Sequence, residues 1–552
     1  MTRIPLLAFA LLLSGPALAQ VAAPAGPPLP QPSRGEPEQG KPGDTRPGVG
    51  RPVEVKPEDQ KPGDEKPGDG KPGDGKPGDE KRGEAKPGAD RTTRHRLALP
   101  GGTLDFTATV STIRLANPAG AVQAEVVTIA FQLAGAAPGT RPVTFAVNGG
   151  PGASSAWLNL GAIGPWRVAI GGALPSSPPA VVDNLETWLD FTDLVFLDPP
   201  GTGFSRVTGG DDARRGMQSV DGDIRMLASV ASRWLQAQGR LASPKFIVGE
   251  SYGGFRGPKL ARALLDQQGV GVRGLVLVSP VLDFNGRDAP WDPMRWVARL
   301  PSLAAAARGA GSRGDLRDAE EYASGDYLLD LVRGEHDADA TARLSARVAA
   351  LTGLDPALVR RRAGKPDFGA VLREREPGRV GSPYDSTVTA ADPFPSAAND
   401  NSPDPILDGL RGPVTGAMLD LYRTRLDWQP EGAPARQYVL LSETLAREWD
   451  YGHGNSRPEA MTELRQYLSL DPAAQVLVVH GLTDLVTPYF ASKLLLDGVP
   501  ETVPPGRLTL RAYGGGHMFY SRDASRAALH GDAAAMFGAA EKLPDRAAGP
   551  TR

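Results

Sequence analysis

From about residue 94 onward, short apolar runs recur along the chain, each closed by glycine, proline or a polar residue. They fall at residues 143–147, 194–197, 245–248, 274–278 and 475–479, with 508–513 as the last. Intervening stretches such as 254–268 carry helical spacing instead. Short buried runs alternating with helices predict a mostly parallel sheet with helices on both faces, an α/β fold. Ahead of them, residues 103–110 and 125–133 alternate β-branched and polar side chains. Asn117-Pro118-Ala119-Gly120 supplies turn chemistry between the two, so an antiparallel pair should open the fold. Residues 283–435 break the rhythm. They are rich in Ala, Arg, Leu and Asp, with helical periodicity at 303–308, 322–332 and 338–351. The expectation is a largely helical insertion above the sheet, in the position of a lid. The core would then be split into residues 94–282 and 436–540, with 541–552 as a tail.

The first 93 residues change the picture. Arg3, an apolar run over 4–13 and Ala17-Leu18-Ala19 have the form of a secretory signal peptide, cut before Gln20. Residues 20–93 are dominated by Pro, Gly, Lys, Asp and Glu, with Lys-Pro-Gly-Asp starting at Lys41, Lys61, Lys66, Lys71 and Lys76. Such a segment buries too little apolar surface to offset its ordering entropy, so a disordered tether is expected. A secreted chain, periplasmic or extracellular, follows, with no stable membrane insertion after signal cleavage. The formal net charge of −3 gives no electrostatic footprint for nucleic acid. Cysteine is absent, which excludes disulfides, thiolate metal sites and a cysteine nucleophile.

Candidate chemistry is concentrated where runs end. Gly249-Glu250-Ser251-Tyr252-Gly253 follows one apolar run and precedes a helical stretch, the setting of a strained strand-to-helix turn that exposes a serine hydroxyl. A serine needs a base, and His517 lies in Gly514-Gly515-Gly516-His517-Met518 just after the last run. His480 is a rival at a strand end, read as a neighbour of the site and not the base. Asp484 stands between serine and histidine in the chain order of an α/β-hydrolase, in a loop after a run, and would hold the imidazole. Two backbone N–H groups are needed for the oxyanion. One would come from Tyr252, the other from the glycine-rich loop Asn148-Gly149-Gly150-Pro151-Gly152.

Assembled, these blocks resemble the serine carboxypeptidases, peptidase family S10. The resemblance rests on Asn148-Gly149-Gly150-Pro151-Gly152-Ala153-Ser154-Ser155, Leu197-Asp198-Pro199-Pro200-Gly201-Thr202-Gly203-Phe204-Ser205, Gly249 to Gly254, His480-Gly481-Leu482-Thr483-Asp484 and Gly516-His517-Met518. It implies an α/β-hydrolase fold and release of C-terminal amino acids from peptides through an acyl-enzyme, with neither metal nor organic cofactor. It implies that Ser251, Asp484 and His517 are catalytic, that the Gly150 and Tyr252 amides bind the oxyanion, and that Asn148, Gly149 and Glu250 recognise the terminal carboxylate of the peptide. A protonated Glu250 could donate to that carboxylate, whereas an ionised one would repel it. The chain departs from the family at Ala146, where a Trp is frequent, at Ala153, where a Cys is common, and at Ala162, where a second Glu often pairs with the one beside the nucleophile. Two other readings stay open: an esterase or acyltransferase using the same triad, and a noncatalytic envelope-binding protein.

Overall fold

A computed structural model describes residues 88–542, apart from 138, 171–175, 177–179, 286–288, 290, 398–401, 433–435, 453–456 and 501–502. The expected signal peptide and most of the expected tether lie outside the described residues. The opening strands are β1 (Arg91–Leu99), β2 (Gly102–Ala116) and β3 (Val122–Leu133). The runs that follow are β4 (Val143–Val147), β5 (Asp193–Leu197), β6 (Lys245–Glu250), β7 (Gly274–Val278), β8 (Gln475–Gly481) and β9 (Leu508–Tyr513). They form one sheet in the order β1-β2-β3-β5-β4-β6-β7-β8-β9, with Arg206–Val207 paired to β3. From β5 to β9 all neighbours are parallel, while β1, β2, β3 and β5 pair antiparallel. The anticipated opening pair is present. One strand, β1, was not anticipated, and it starts three residues before the expected boundary at Arg94.

The parallel strands read as continuous apolar runs because both faces of the sheet are covered. Phe145 and Val147 bury on one side with Val195, Ile247 and Leu277, and Ala146 on the other with Phe196, Val248 and Val479. The first side is covered by α1 (Val220–Ala237) and α2 (Tyr252–Gln268). The insertion contributes α3 (Pro293–Arg308) and α4 (Ala338–Thr352), which share a separate apolar cluster with Leu482, Leu485 and Tyr489. Farther on, α5 (Leu407–Thr424) does not belong to that cluster. Its Leu410, Val414, Met418 and Leu421 bury in the sheet's second face, together with Leu529 and Phe537 of α6 (Asp523–Lys542). Each such fully buried side chain contributes roughly 1.5–3 kcal/mol. The insertion also carries a short hairpin, Arg379–Gly381 with Thr389–Ala391, that no periodicity announced. This parallel sheet with its antiparallel start and helices on both faces is the α/β-hydrolase architecture.

The strand order reverses at β4. The chain leaves β4 toward β5 on one side and returns to β6 on the other. The loops after β4 and β6 therefore part at their carboxyl ends, where open α/β sheets bind ligands. Asn148 begins the first of these loops and Ser251 ends the second strand's turn.

Candidate active site

Ser251 joins β6 directly to α2 and has φ 60° and ψ −120°, a conformation that non-glycine residues seldom adopt. The turn is tight enough to dictate its neighbours. A Cβ on Gly249 would run into the Gly253 carbonyl, and one on Gly253 into the Val147 carbonyl. The Ser251 N–H donates to the Val278 carbonyl (2.9 Å), which ties the turn to β7. The Tyr252 N–H stands at the start of α2, where the helix end favours developing negative charge.

His517 and Asp484 meet. His517 Nδ1 lies 2.8 Å from Asp484 Oδ2, and both side chains are buried. The N–H groups of Val486 and Thr487 donate to Asp484 Oδ1 at 2.8 and 3.0 Å, and Thr487 Oγ1 sits 2.7 Å from Oδ2. Burial pushes this carboxyl toward protonation, but His517 and the Thr487 donors overrule it and hold the carboxyl below the usual range. An ionised acceptor beside Nδ1 leaves the other ring nitrogen as the basic one. The histidine turn is anchored to the serine's surroundings by the Ser279 hydroxyl, which follows β7 and donates to the His517 carbonyl (2.8 Å).

His480 ends within β8 and is fully buried. Its Nδ1 faces the Thr487 carbonyl at 3.0 Å and its Nε2 the Ser492 hydroxyl at 2.9 Å. Burial lowers its pKa to about 4, so it is neutral and braces the loop that carries Asp484.

The loop after β4 lies against the serine turn. A Cβ on Gly149 would come within 2.5 Å of the Tyr252 nitrogen, and Gly150 has φ +99°. Glycine is thus required where the backbones of the two loops touch. Asn148 is oriented without ambiguity: its Oδ1 accepts from the Leu158 N–H (3.0 Å), so its Nδ2 donates to Glu250 Oε2 (2.6 Å). Glu250 Oε1 accepts from the Tyr520 hydroxyl (2.8 Å). Burial raises the Glu250 carboxyl above its ordinary range, opposed by His517, Tyr520 and Asn148 and reinforced by Asp484.

Several supporting residues were not singled out from sequence. The Arg256 guanidinium on α2 donates to both oxygens of Asp223 (2.6 and 3.2 Å) and to the Asn148 carbonyl (2.5 Å), wholly buried. Asp198, in the Leu197 to Ser205 block, accepts from the Ser155 N–H (2.7 Å), and burial raises its pKa to about 6. From the insertion, Tyr384 accepts at its carbonyl from the His517 N–H (2.5 Å), and Asp385 accepts from Thr483 Oγ1 (2.7 Å). Tyr520 had a visible position, three residues after His517, but a lone sequence does not distinguish it from a core tyrosine. Among the described residues, no group of three or more His, Cys, Asp or Glu is placed to hold a metal ion, and no helix is long and apolar enough to cross a membrane.

Comparison with known proteins gives a consistent picture. The family model described as "Serine carboxypeptidase" matches residues 130–298. That span holds Asn148, Gly149, Gly150, Glu250, Ser251 and Tyr252, and stops before Asp484 and His517. Serine carboxypeptidase-like 33 of Arabidopsis thaliana is 29% identical over 166 residues, 28% of this chain and 32% of that protein. The pheromone-processing carboxypeptidase kex1 of Pyrenophora tritici-repentis is 34% identical over 123 residues, 22% of this chain and 18% of that protein. The chain thus spans about a third or less of the curated relatives it matches. A thermophilic esterase from Thermogutta terrifontis superimposes with a TM-score of 0.31 at 12% identity, covering 81% of this chain and 99% of the other. The fold assignment rests on the strand order above and not on that likeness. Over residues 130–298, the chain is similar to the serine carboxypeptidases.

Proposed function

We propose that the protein is an exported serine-type carboxypeptidase that releases C-terminal amino acids from peptides, with Ser251 as nucleophile, His517 as base and Asp484 as the acid that orients it. The observations that carry this reading are the buried Asp484–His517 pair and the serine held at φ 60° on a strand-to-helix turn, each bonded to one of the adjacent residues Val278 and Ser279. In the first step Ser251 Oγ bonds to the scissile carbonyl carbon while its proton passes to Nε2 of His517. The Gly150 and Tyr252 N–H groups receive the negative charge that develops on the carbonyl oxygen. Collapse breaks the C–N bond, the leaving amine takes the proton from His517, and an acyl-Ser251 ester remains. Water, deprotonated by His517, then attacks the ester, and Ser251 recovers its proton.

Asn148, Gly149 and Glu250 would select the chain end. Glu250 is supported in this role by its burial, which favours a protonated carboxyl able to donate to a substrate carboxylate. Recognition should therefore weaken as pH rises through the Glu250 titration. The test is hydrolysis of an N-blocked dipeptide with a free C-terminus beside its amidated twin, from about pH 4 to 8. Release of the last residue from the free acid, with at least about tenfold weaker turnover of the amide, is expected. Cleavage of a simple ester with neither peptide touched would replace this reading with an esterase or acyltransferase.

A further inference from the structure

Glu250 is held from both sides. Asn148 Nδ2 donates to one carboxyl oxygen and the Tyr520 hydroxyl to the other. Tyr520 is itself fully buried in the turn Phe519–Ser521, directly after the histidine loop. Its ring rests on the helical turn Trp157–Ile163, and a Cβ on Gly161 would stand 2.7 Å from Tyr520 Cε2. Glycine at position 161 leaves the room this ring occupies.

We propose that Tyr520 is a positioning residue for carboxylate recognition: it clamps Glu250 opposite Asn148, and so sets how far toward neutral pH a free peptide C-terminus is bound. The inference rests on the reading of Glu250 as the group that meets the substrate carboxylate. The groups that face Glu250 are the neutral donors Asn148 and Tyr520 and the charged or chargeable His517 and Asp484. Both donors favour an ionised Glu250, whereas burial favours the protonated form. An ionised Glu250 repels the substrate carboxylate, so the Tyr520 hydroxyl restrains binding at higher pH. The hydroxyl keeps its own proton throughout, because burial and Glu250 hold its titration well above the ordinary tyrosine range.

The experiment follows KM against pH for the free-acid dipeptide and its amidated twin in the wild type, Tyr520→Phe and Glu250→Gln. For the wild type, KM of the free acid rises with pH, and the amide shows no such limb. Tyr520→Phe is expected to move the limb upward by about one pH unit, the consequence of removing one hydrogen bond to a charged carboxylate. Glu250→Gln, neutral at every pH, is expected to abolish the limb. A limb that persists in Glu250→Gln would overturn the underlying reading of Glu250. A limb that vanishes in Glu250→Gln but stays in place in Tyr520→Phe would overturn the role of Tyr520 alone. Gly161→Ala, which crowds the ring without altering its hydroxyl, should move the limb in the same direction, and an unmoved limb there contradicts the proposal even if Tyr520→Phe does not fold.

Discussion

Thr487 touches three partners of the proposed machinery at once. Its hydroxyl lies 2.7 Å from Asp484 Oδ2, 3.1 Å from His517 Nδ1 and 2.9 Å from the Ser279 carbonyl. Thr487→Val keeps the shape and removes the oxygen, and should lower kcat about tenfold with little change in KM, as steady-state kinetics would show. Asp484→Asn should cost more, about 10⁴-fold in kcat, because the amide leaves the imidazole in the wrong tautomer. A fall of only a few fold would mean that Asp484 is not the orienting acid. At this scale the candidate site was legible where chemistry leaves a local signature: Gly249 to Gly253 around a serine, and glycines ahead of His517. Tyr520 and Arg256 were not, because each acts through a partner distant in sequence, and Thr487, three residues from Asp484, was not because a lone loop threonine carries no pattern of its own. Arg256 binds the Asn148 carbonyl across a separation that no local pattern encodes.

The elements explain which residues have no freedom. The strand-to-helix turn at Ser251 tolerates no side chain at Gly249, and the Asp198 loop tolerates none at Gly203, where a Cβ would strike the Asp198 carboxyl. Beneath the loop after β4, the Arg256–Asp223 pair is sealed from water. Arg256→Leu strands a buried carboxylate and should lower stability by about 3–5 kcal/mol in urea unfolding. A loss below about 1 kcal/mol would show that the pair is not a structural support. The parallel strands were legible because burial on both faces turns them into unbroken apolar runs. Strand β1 was missed because Arg91, Thr93 and His95 alternate with exposed polar residues and carry no apolar period. The insertion was legible as helical, but not in its allegiance. Nothing in the composition of α5 distinguishes a helix over the site from one that buries Val414 and Leu421 in the sheet's second face, and the brace formed by Tyr384 and Asp385 has no periodicity at all.

At the scale of the whole molecule, the contacts at the start of the described residues and the response to acid can both be tested. The Gly88 N–H donates to the Gln429 carbonyl (2.9 Å) and Trp428 Nε1 to the Ala89 carbonyl (2.9 Å), ahead of β1. A chain starting at Gly88 should keep the kcat/KM of the full chain within about twofold, while one starting at Arg94 loses these bonds and should melt at a lower temperature. Unfolded histidine takes up a proton near pH 6.5, whereas buried His480 resists to about 4. The unfolded state binds more protons between those values. The His480 contribution is therefore complete above pH 6.5 and declines as pH falls toward 4, by on the order of 3 kcal/mol. His480→Gln should show a correspondingly smaller loss of urea resistance between pH 7 and 4.5, and identical losses in the two proteins would contradict the assignment. The central claim concerns Ser251, and covalent labelling addresses it most directly. Treated with a fluorophosphonate and mapped by mass spectrometry, the protein should carry one adduct on the peptide containing Ser251, and Ser251→Ala should carry none. A folded protein that takes no label, or takes it on another serine, would contradict the account.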